Sequence, residues 1–415
     1  MKLSFVALLS VGVALVGCSG SPSGVDESVE SASEPLLTDT EFFGRLGAAG
    51  DILTPMAAKV WSDLNSHGVD KVRGVTYLSY GRGPSIAQAT SVIAPEGVTN
   101  LDLFVSVFVG ECGSSAATGC QDLFTIPTDT AANQQALMTA FSGYFLTVVQ
   151  AVNAKGNVVK TWGINEPDLA MANLSDWPER TALFYVAARQ TLVSAGCTGC
   201  SVVAGEFADF DGDSNFQRYT TMMDSQLAAA GLLPPTVFSL HPYGDVDRAT
   251  ARNWKYVPAT ATDSYVTAVK ARYPSADIWL TEVGRMLHQV YSVKHTPADE
   301  WASGAFVRGR LANHRGVTRV YWYQLAFETL SSGKACDTAS LLIPMCDARH
   351  GLTCVTSGGT SGICTVTTSP TEMWDSALAD ENGNRRASYF GLLNEDETEA
   401  LRKARNDQSN PNPDP

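Results

Sequence analysis

The sequence predicts an α/β protein of the (β/α)8 TIM-barrel class, with a disulfide-rich insertion after strand eight. Three observations predict it. Seven apolar runs alternate with segments of helical periodicity, residues at the run ends recur at the interval of one βα unit, and four cysteines gather beyond the last run. Continuous apolar runs bounded by helices are what a parallel sheet buried on both faces requires.

The runs are 72–79, 101–109, 158–164, 201–207, 236–240, 277–283 and 318–324, and an eighth strand is placed within 39–50, in the stretch EFFGRLGAAGD (41–51). Between them, residues 131–154 put Leu137, Phe141, Phe145, Val148 and Val152 on one helical face, with Gly156 as a stop. Residues 178–195 carry Pro178 in the first turn and Gly196 past the end, the usual asymmetry of helix termini. Residues 297–314 open on Thr296-Pro-Ala-Asp299, a capping-box pattern, and hold Arg308, Arg310 and His314 in their last turns, where cations suit the helix dipole. Glu166, Glu206, His241, Glu282 and Trp322 follow one another at 35 to 41 residues, which is one strand–loop–helix–loop unit. An open doubly wound sheet is the alternative, but no GxGxxG or Walker pattern follows the first strands.

Composition narrows the function. Of 415 residues, 29 are Lys or Arg and 43 are Asp or Glu, a formal charge of −14. That balance argues against nucleic acid, whose binding depends on cations that neutralise phosphates. Hydrophobic residues at 44% supply a sizeable core, and charged residues at 17% leave a surface rich in small polar groups, as in many secreted proteins. Residues 1–18 combine Lys2, a short apolar run and Leu15-Val16-Gly17-Cys18. The run is too short for a bilayer span and reads as a signal sequence. Its end resembles the bacterial lipobox, with Cys18 as the lipidated mature N-terminus; an ordinary signal peptide is the competing reading. Residues 19–38, Ser- and Glu-rich, then form a flexible tether. The barrel body spans 39–395, its insertion 331–371, and the polar 396–415 begins helical and ends as a disordered tail.

Beyond Cys18, eight cysteines remain. An even count in an exported chain reads as four disulfides. Cys112 with Cys120 and Cys197 with Cys200 are the local pairs, while Cys336, Cys346, Cys354 and Cys364 allow three pairings. A redox or zinc site at Cys197-Thr-Gly-Cys200 competes, without a second CxxC or a neighbouring His to support it.

A barrel carries its chemistry at the C-terminal ends of its strands. Glu166 stands there in Trp162-Gly-Ile-Asn165-Glu166-Pro167-Asp168 and Glu282 in Ile278-Trp-Leu-Thr281-Glu282-Val-Gly284. On strands four and seven they face one another across the pocket, where ~5–5.5 Å between carboxyls suits a retaining glycosidase and ~6.5–9.5 Å an inverting one. Glu206 ends strand five, either as a ligand for a sugar hydroxyl or as partner of a cation; Glu111, beside Cys112, reads as structural. Asp209-Phe-Asp211-Gly-Asp213 resembles the start of a calcium loop, but Ser214 and Thr220 stand where an EF-hand needs Gly and Glu. With six His and no HxH or HExxH, neither a metal nor another cofactor is expected.

Asn165-Glu166-Pro167 and Thr281-Glu282 resemble the clan A glycoside hydrolases, over about residues 40–393. The resemblance extends to His241-Pro242-Tyr243 on strand six, Trp322 on strand eight, Arg73 on strand two, and the run from Asp375-Ser-Ala-Leu378 to Tyr389-Phe390. It implies a retaining (β/α)8 enzyme with Glu166 as acid/base and Glu282 as nucleophile. Asn165 would bind the sugar 2-hydroxyl, Tyr243 would support Glu282, and Trp322 would offer a face to the sugar ring, unless it fills the core. His241 would be an active-site residue or a satisfied structural histidine. The family within the clan stays open between β-1,3-glucanase-like and xylosidase-like members. The expected protein is a membrane-anchored, monomeric lipoprotein at the cell surface or in the periplasm, hydrolysing a β-linked polysaccharide or oligosaccharide. A catalytically weak glycan-binding lipoprotein on the same barrel is the alternative, and a hydrolase acting on peptidoglycan a third reading.

Overall fold

The structure, a computed structural model, describes residues 37–49, 55–77, 102–109, 122–153, 159–208, 210, 212–285, 296–325, 335–337, 352–356, 361–366, 377–380 and 384–409. The signal sequence, Cys18, all but the last two residues of the tether, Glu111, Cys112, Cys120, Asp209, Asp211 and Cys346 lie outside the described residues.

Eight parallel strands form the barrel: β1 (Leu46–Ala49), β2 (Lys71–Tyr77), β3 (Asp102–Phe108), β4 (Thr161–Asn165), β5 in two pieces (Ser201–Val202 and Ala204–Phe207), β6 (Val237–Leu240), β7 (Asp277–Val283) and β8 (Val317–Tyr323). They stand in chain order, with β1 between β2 and β8. The ring closes through β5, whose first piece pairs with β4 and whose second pairs with β6. Val203 bridges the two pieces by donating its amide to the Trp162 carbonyl at 2.7 Å.

Side-chain parity along the strands splits the core in two. Leu103, Val105, Val107, Trp162, Ile164, Phe238, Leu240, Ile278 and Leu280 point outward against the helices. Inside the barrel, Ala49, Phe104, Val203, Trp279 and Tyr321 form a smaller, mainly aromatic plug. The rings of Phe104, Trp279 and Tyr321 meet at centroid distances of 5.9 to 6.3 Å, in the offset and edge-on contacts that aromatic quadrupoles favour. The plug fills the lower barrel and forms the floor on which the polar layer described below rests.

One segment differs from the sequence reading, and two others take a definite form. The first half of 39–50 is a helix, Asp39–Arg45, because Thr38 and Glu41 make a capping box; only Leu46–Ala49 is strand. Beyond β8, the expected disulfide-rich insertion carries three strands, Ala335–Asp337, Leu352–Thr356 and Ser361–Val366, in an antiparallel sheet with the third in the middle. Its register sets Cys354 opposite Cys364. Helix Glu397–Ser409 buries Ala400 and Ala404, so this part of the polar tail packs on the body. Among the described residues no helix is long and apolar enough to cross a membrane. Cys197 and Cys200 are joined in a disulfide.

Candidate active site

Above the aromatic plug, the strands project a continuous polar layer. Its centre is Arg73 on β2, fully buried, with its guanidinium carbon 5.6 Å above the Phe104 ring. The Arg73 donors are divided among four partners. Nε donates to Ser106 Oγ and to Glu206 Oε1, each at 3.1 Å. Nη1 donates to Glu282 Oε1 at 2.5 Å, and Nη2 donates to Asn165 Oδ1. Burial disfavours its charge, but Glu206 and Glu282 outweigh that and raise its pKa further. The guanidinium is therefore a fixed positive charge facing the pocket from below.

Glu166 and Glu282 reach the layer by local breaks in strand geometry. Glu166 sits just past β4 with φ 41°, a left-handed conformation rare for a side chain of this type, and Pro167 starts the following turn. Its amide donates to the Glu206 carbonyl at 3.0 Å. On β7 the pairing with β8 shifts register between Leu280 and Val283. Thr281 and Glu282 both contact the polar layer, although they are neighbours in the chain. Tyr243, in the turn after β6, donates its hydroxyl to Glu282 Oε2 at 2.6 Å, so both nucleophile-candidate oxygens are held.

His241 links the two carboxylates. Its Nδ1 lies 3.1 Å from Glu166 Oε1 and 3.8 Å from Glu282 Oε2, and its Nε2 lies 3.0 Å from Thr281 Oγ1. Thr281 passes the chain on to Ser239 Oγ at 3.1 Å. Burial opposes a charged imidazole, yet Glu282, the hydrogen bond with Glu166 and the nearby Glu206 carboxylate prevail, pushing the pKa up to about 9. One oxygen of Glu166, one ring nitrogen of His241 and one oxygen of Glu282 lie within 4.8 Å of one another. Such a spread could bracket a divalent ion, but Arg73 already supplies a positive charge bonded to Glu282 there.

Of the residues expected at the site, the structure brings Arg73, Asn165, Glu166, Glu206, His241, Tyr243 and Glu282 into one connected network. Trp322 is placed differently from the ring-stacking role expected of it. It is 1% exposed and belongs to the outward core, while Tyr323, one residue on, packs against the inner plug. Glu206 is fully buried, under the layer rather than at its surface. Four further residues were given no role from sequence, although Thr281 and Asp168 stand inside the quoted motifs. Ser106, Ser239 and Thr281 are polar residues inside apolar strands, and that interruption was their signal. Asp168 accepts the Ala208 amide with both oxygens at 3.0 Å, tying the turn after β4 to the end of β5, and burial pushes its pKa up to about 6.

No family model matches the chain, and no curated protein matches it. Solved structures are similar to it over most of its length. Xylanase 10B of Thermotoga maritima is 13% identical, over 90% of this chain and 98% of that one, with a TM-score of 0.42. A glycosylated endo-β-1,4-xylanase of Gloeophyllum trabeum is 11% identical, over 89% and 98%, with a TM-score of 0.47. The exo-β-1,4-mannosidase Op5Man5 of Opitutaceae bacterium strain TAV5 is 14% identical, over 88% and 60%, with a TM-score of 0.43.

Proposed function

We propose that the protein is a retaining β-glycosidase that hydrolyses a β-linked polysaccharide, a β-glucan such as β-1,3-glucan or a xylan, by double displacement. The observation that carries this reading is the separation of the two carboxylates, whose nearest oxygens lie within 4.8 Å. Retention needs two carboxyl groups close enough to act on one anomeric carbon, whereas inversion needs room for a water between the groups. In the first step Glu282 attacks the anomeric carbon while Glu166 gives its proton to the departing oxygen. In the second, water attacks the same carbon, Glu166 takes the proton, and Glu282 leaves. Arg73 and Tyr243 hold the two oxygens of Glu282 for attack. Asn165 accepts from Arg73 and has its Nδ2 3.5 Å from Glu166 Oε2, and it is assigned here to the sugar 2-hydroxyl.

The test is release of reducing sugar from a panel of β-glucans, xylans and mannans, with two variants. Glu282→Ala should lose turnover, and azide should restore it by forming a glycosyl azide of inverted configuration. Glu166→Ala should keep activity only on substrates whose leaving group needs no proton. Full activity of either variant on polymer would refute the assignment. Export with a lipid anchor at Cys18 is part of the proposal and rests on the lipobox-like sequence. Mass spectrometry of the mature N-terminus should find an acylated Cys18; an unmodified terminus elsewhere would exclude it.

A further inference from the structure

We propose that Glu206 is a buried counter-ion that positions Arg73 and His241 for the two catalytic carboxylates, and that no sugar hydroxyl reaches it. The inference rests on the glycosidase reading for its mechanistic meaning, but its evidence is the packing around one side chain. Glu206 Oε1 accepts Ser106 Oγ at 2.8 Å and Arg73 Nε at 3.1 Å, and Arg73 Nη2 lies 3.0 Å away. The His241 Nε2 atom stands 3.9 Å from the same oxygen. Glu206 Oε2 has no hydrogen-bond partner among the described residues and is buried against Gly163, where a Cβ would come within 2.1 Å of it. A carboxylate that serves a sugar presents an oxygen to the pocket. Here one oxygen is used by Arg73 and Ser106, and the other is enclosed by β4.

The arrangement has a direct consequence for the residues above it. Arg73 is held along its Nε edge by Glu206 and Ser106, so its outer nitrogens are aimed at Glu282 and Asn165. The charges facing His241 are Arg73 from β2, Glu166 from the end of β4, Glu206 from β5 and Glu282 from β7, with Asp168 in the turn after β4 also within its field and Tyr243 beside it on its own loop. Arg73 and His241 approach to 3.5 Å through nitrogens. Two cationic groups at that distance repel, and Glu206 is the carboxylate outside the catalytic pair that touches both. Its own pKa is lowered: burial would raise it, but Arg73, His241 and Ser106 overcome that. Glu206 thus keeps a balancing negative charge without drawing on Glu282 or Glu166.

The experiment is an NMR titration of the His241 ring in the full chain, wild type against Glu206→Gln, with steady-state kinetics over the same pH range. In the variant the His241 titration should fall by about one pH unit or more, the scale of losing an opposite charge at this distance. kcat should drop about tenfold or more with KM little changed, and the alkaline limb of the pH profile should move down with the histidine. An unmoved His241 titration in folded Glu206→Gln would overturn the proposal. So would a rise in KM alone, with the pH profile in place, which is the mark of a lost sugar ligand. In the wild type, a carbon-13 label should show the Glu206 carboxylate responding as His241 titrates near pH 9, and no response would equally overturn it. The titration is read without any substrate. A moved titration in a protein that hydrolyses no glycan would leave this inference standing and sink the glycosidase reading.

Discussion

The room available to single atoms decides what the site can be. Gly163 lies on β4 with its missing side chain aimed at Glu206; a Cβ would meet Oε2 at 2.1 Å, Cδ at 2.8 Å and Phe104 Cζ at 2.9 Å. Neither neighbour can withdraw, because Glu206 is ion-paired to Arg73 and Phe104 is locked in the aromatic plug beneath it. Gly163→Ala should therefore cost about 1–3 kcal/mol, the range for an extra methyl in a packed interior. A urea-denaturation series would read it as a lower midpoint at unchanged slope. Stability equal to the wild type would mean that Glu206 is free to move. Glu166 and Glu206 add strain of their own, at φ 41° and 61°. Left-handed backbone at a non-glycine residue costs on the order of 1–3 kcal/mol and persists where surrounding contacts enforce it. The Glu166 amide bonded to the Glu206 carbonyl is one such contact, joining the two strained positions directly.

At the scale of strands and helices, legibility followed the number of apolar faces an element has. β2 to β8 each bury both faces, so each stands out as an apolar run, and seven of the eight could be placed from sequence to within a few residues. β1 is four residues long, and the apolar pair before it, Phe42 and Phe43, belongs to a capped helix. There the capping box Thr38/Glu41 outweighed the apparent run. The same doubly apolar character hides which way a side chain points. In Val317–Tyr323 three aromatics follow one another, so composition cannot tell that Tyr321 and Tyr323 face inward while Trp322 faces the helices. The register shift on β7 is hidden for the same reason. What the runs did expose were polar residues at their ends, Glu166, Glu206, His241 and Glu282, whereas Arg73 and Asn165 came from the resemblance to the clan A hydrolases. Ser106 and Ser239 gave the same signal more weakly, since a hydroxyl also satisfies itself on backbone carbonyls.

For the whole molecule, the polar layer makes folding depend on pH in a definite direction. His241, raised from its ordinary 6.5 to about 9 by partners that outweigh its burial, contributes stability that is full below 6.5 and lost as pH climbs through 9. Glu206, lowered from 4.5 despite its burial, contributes above 4.5 and loses that contribution as pH falls through its folded value. Asp168, raised by burial from 3.8 to about 6, stabilises the fold when protonated, an advantage complete below 3.8 and gone above 6. Two of the three groups thus favour acidity and one opposes it at the acid extreme. Stability should peak near pH 4.5, fall as Asp168 loses its advantage towards pH 6, and fall again, by on the order of a few kcal/mol, as His241 gives up its proton between pH 6.5 and 9. The decline above pH 6.5 belongs to His241, so His241→Asn should flatten the alkaline arm of the stability curve, whatever it does to the level below pH 6.5. Denaturation free energies measured at closely spaced pH values would show it. A wild-type curve that stays level from pH 6.5 to 9 would mean the imidazole is neutral in the folded state, and that Glu206 and Glu282 do not hold its proton.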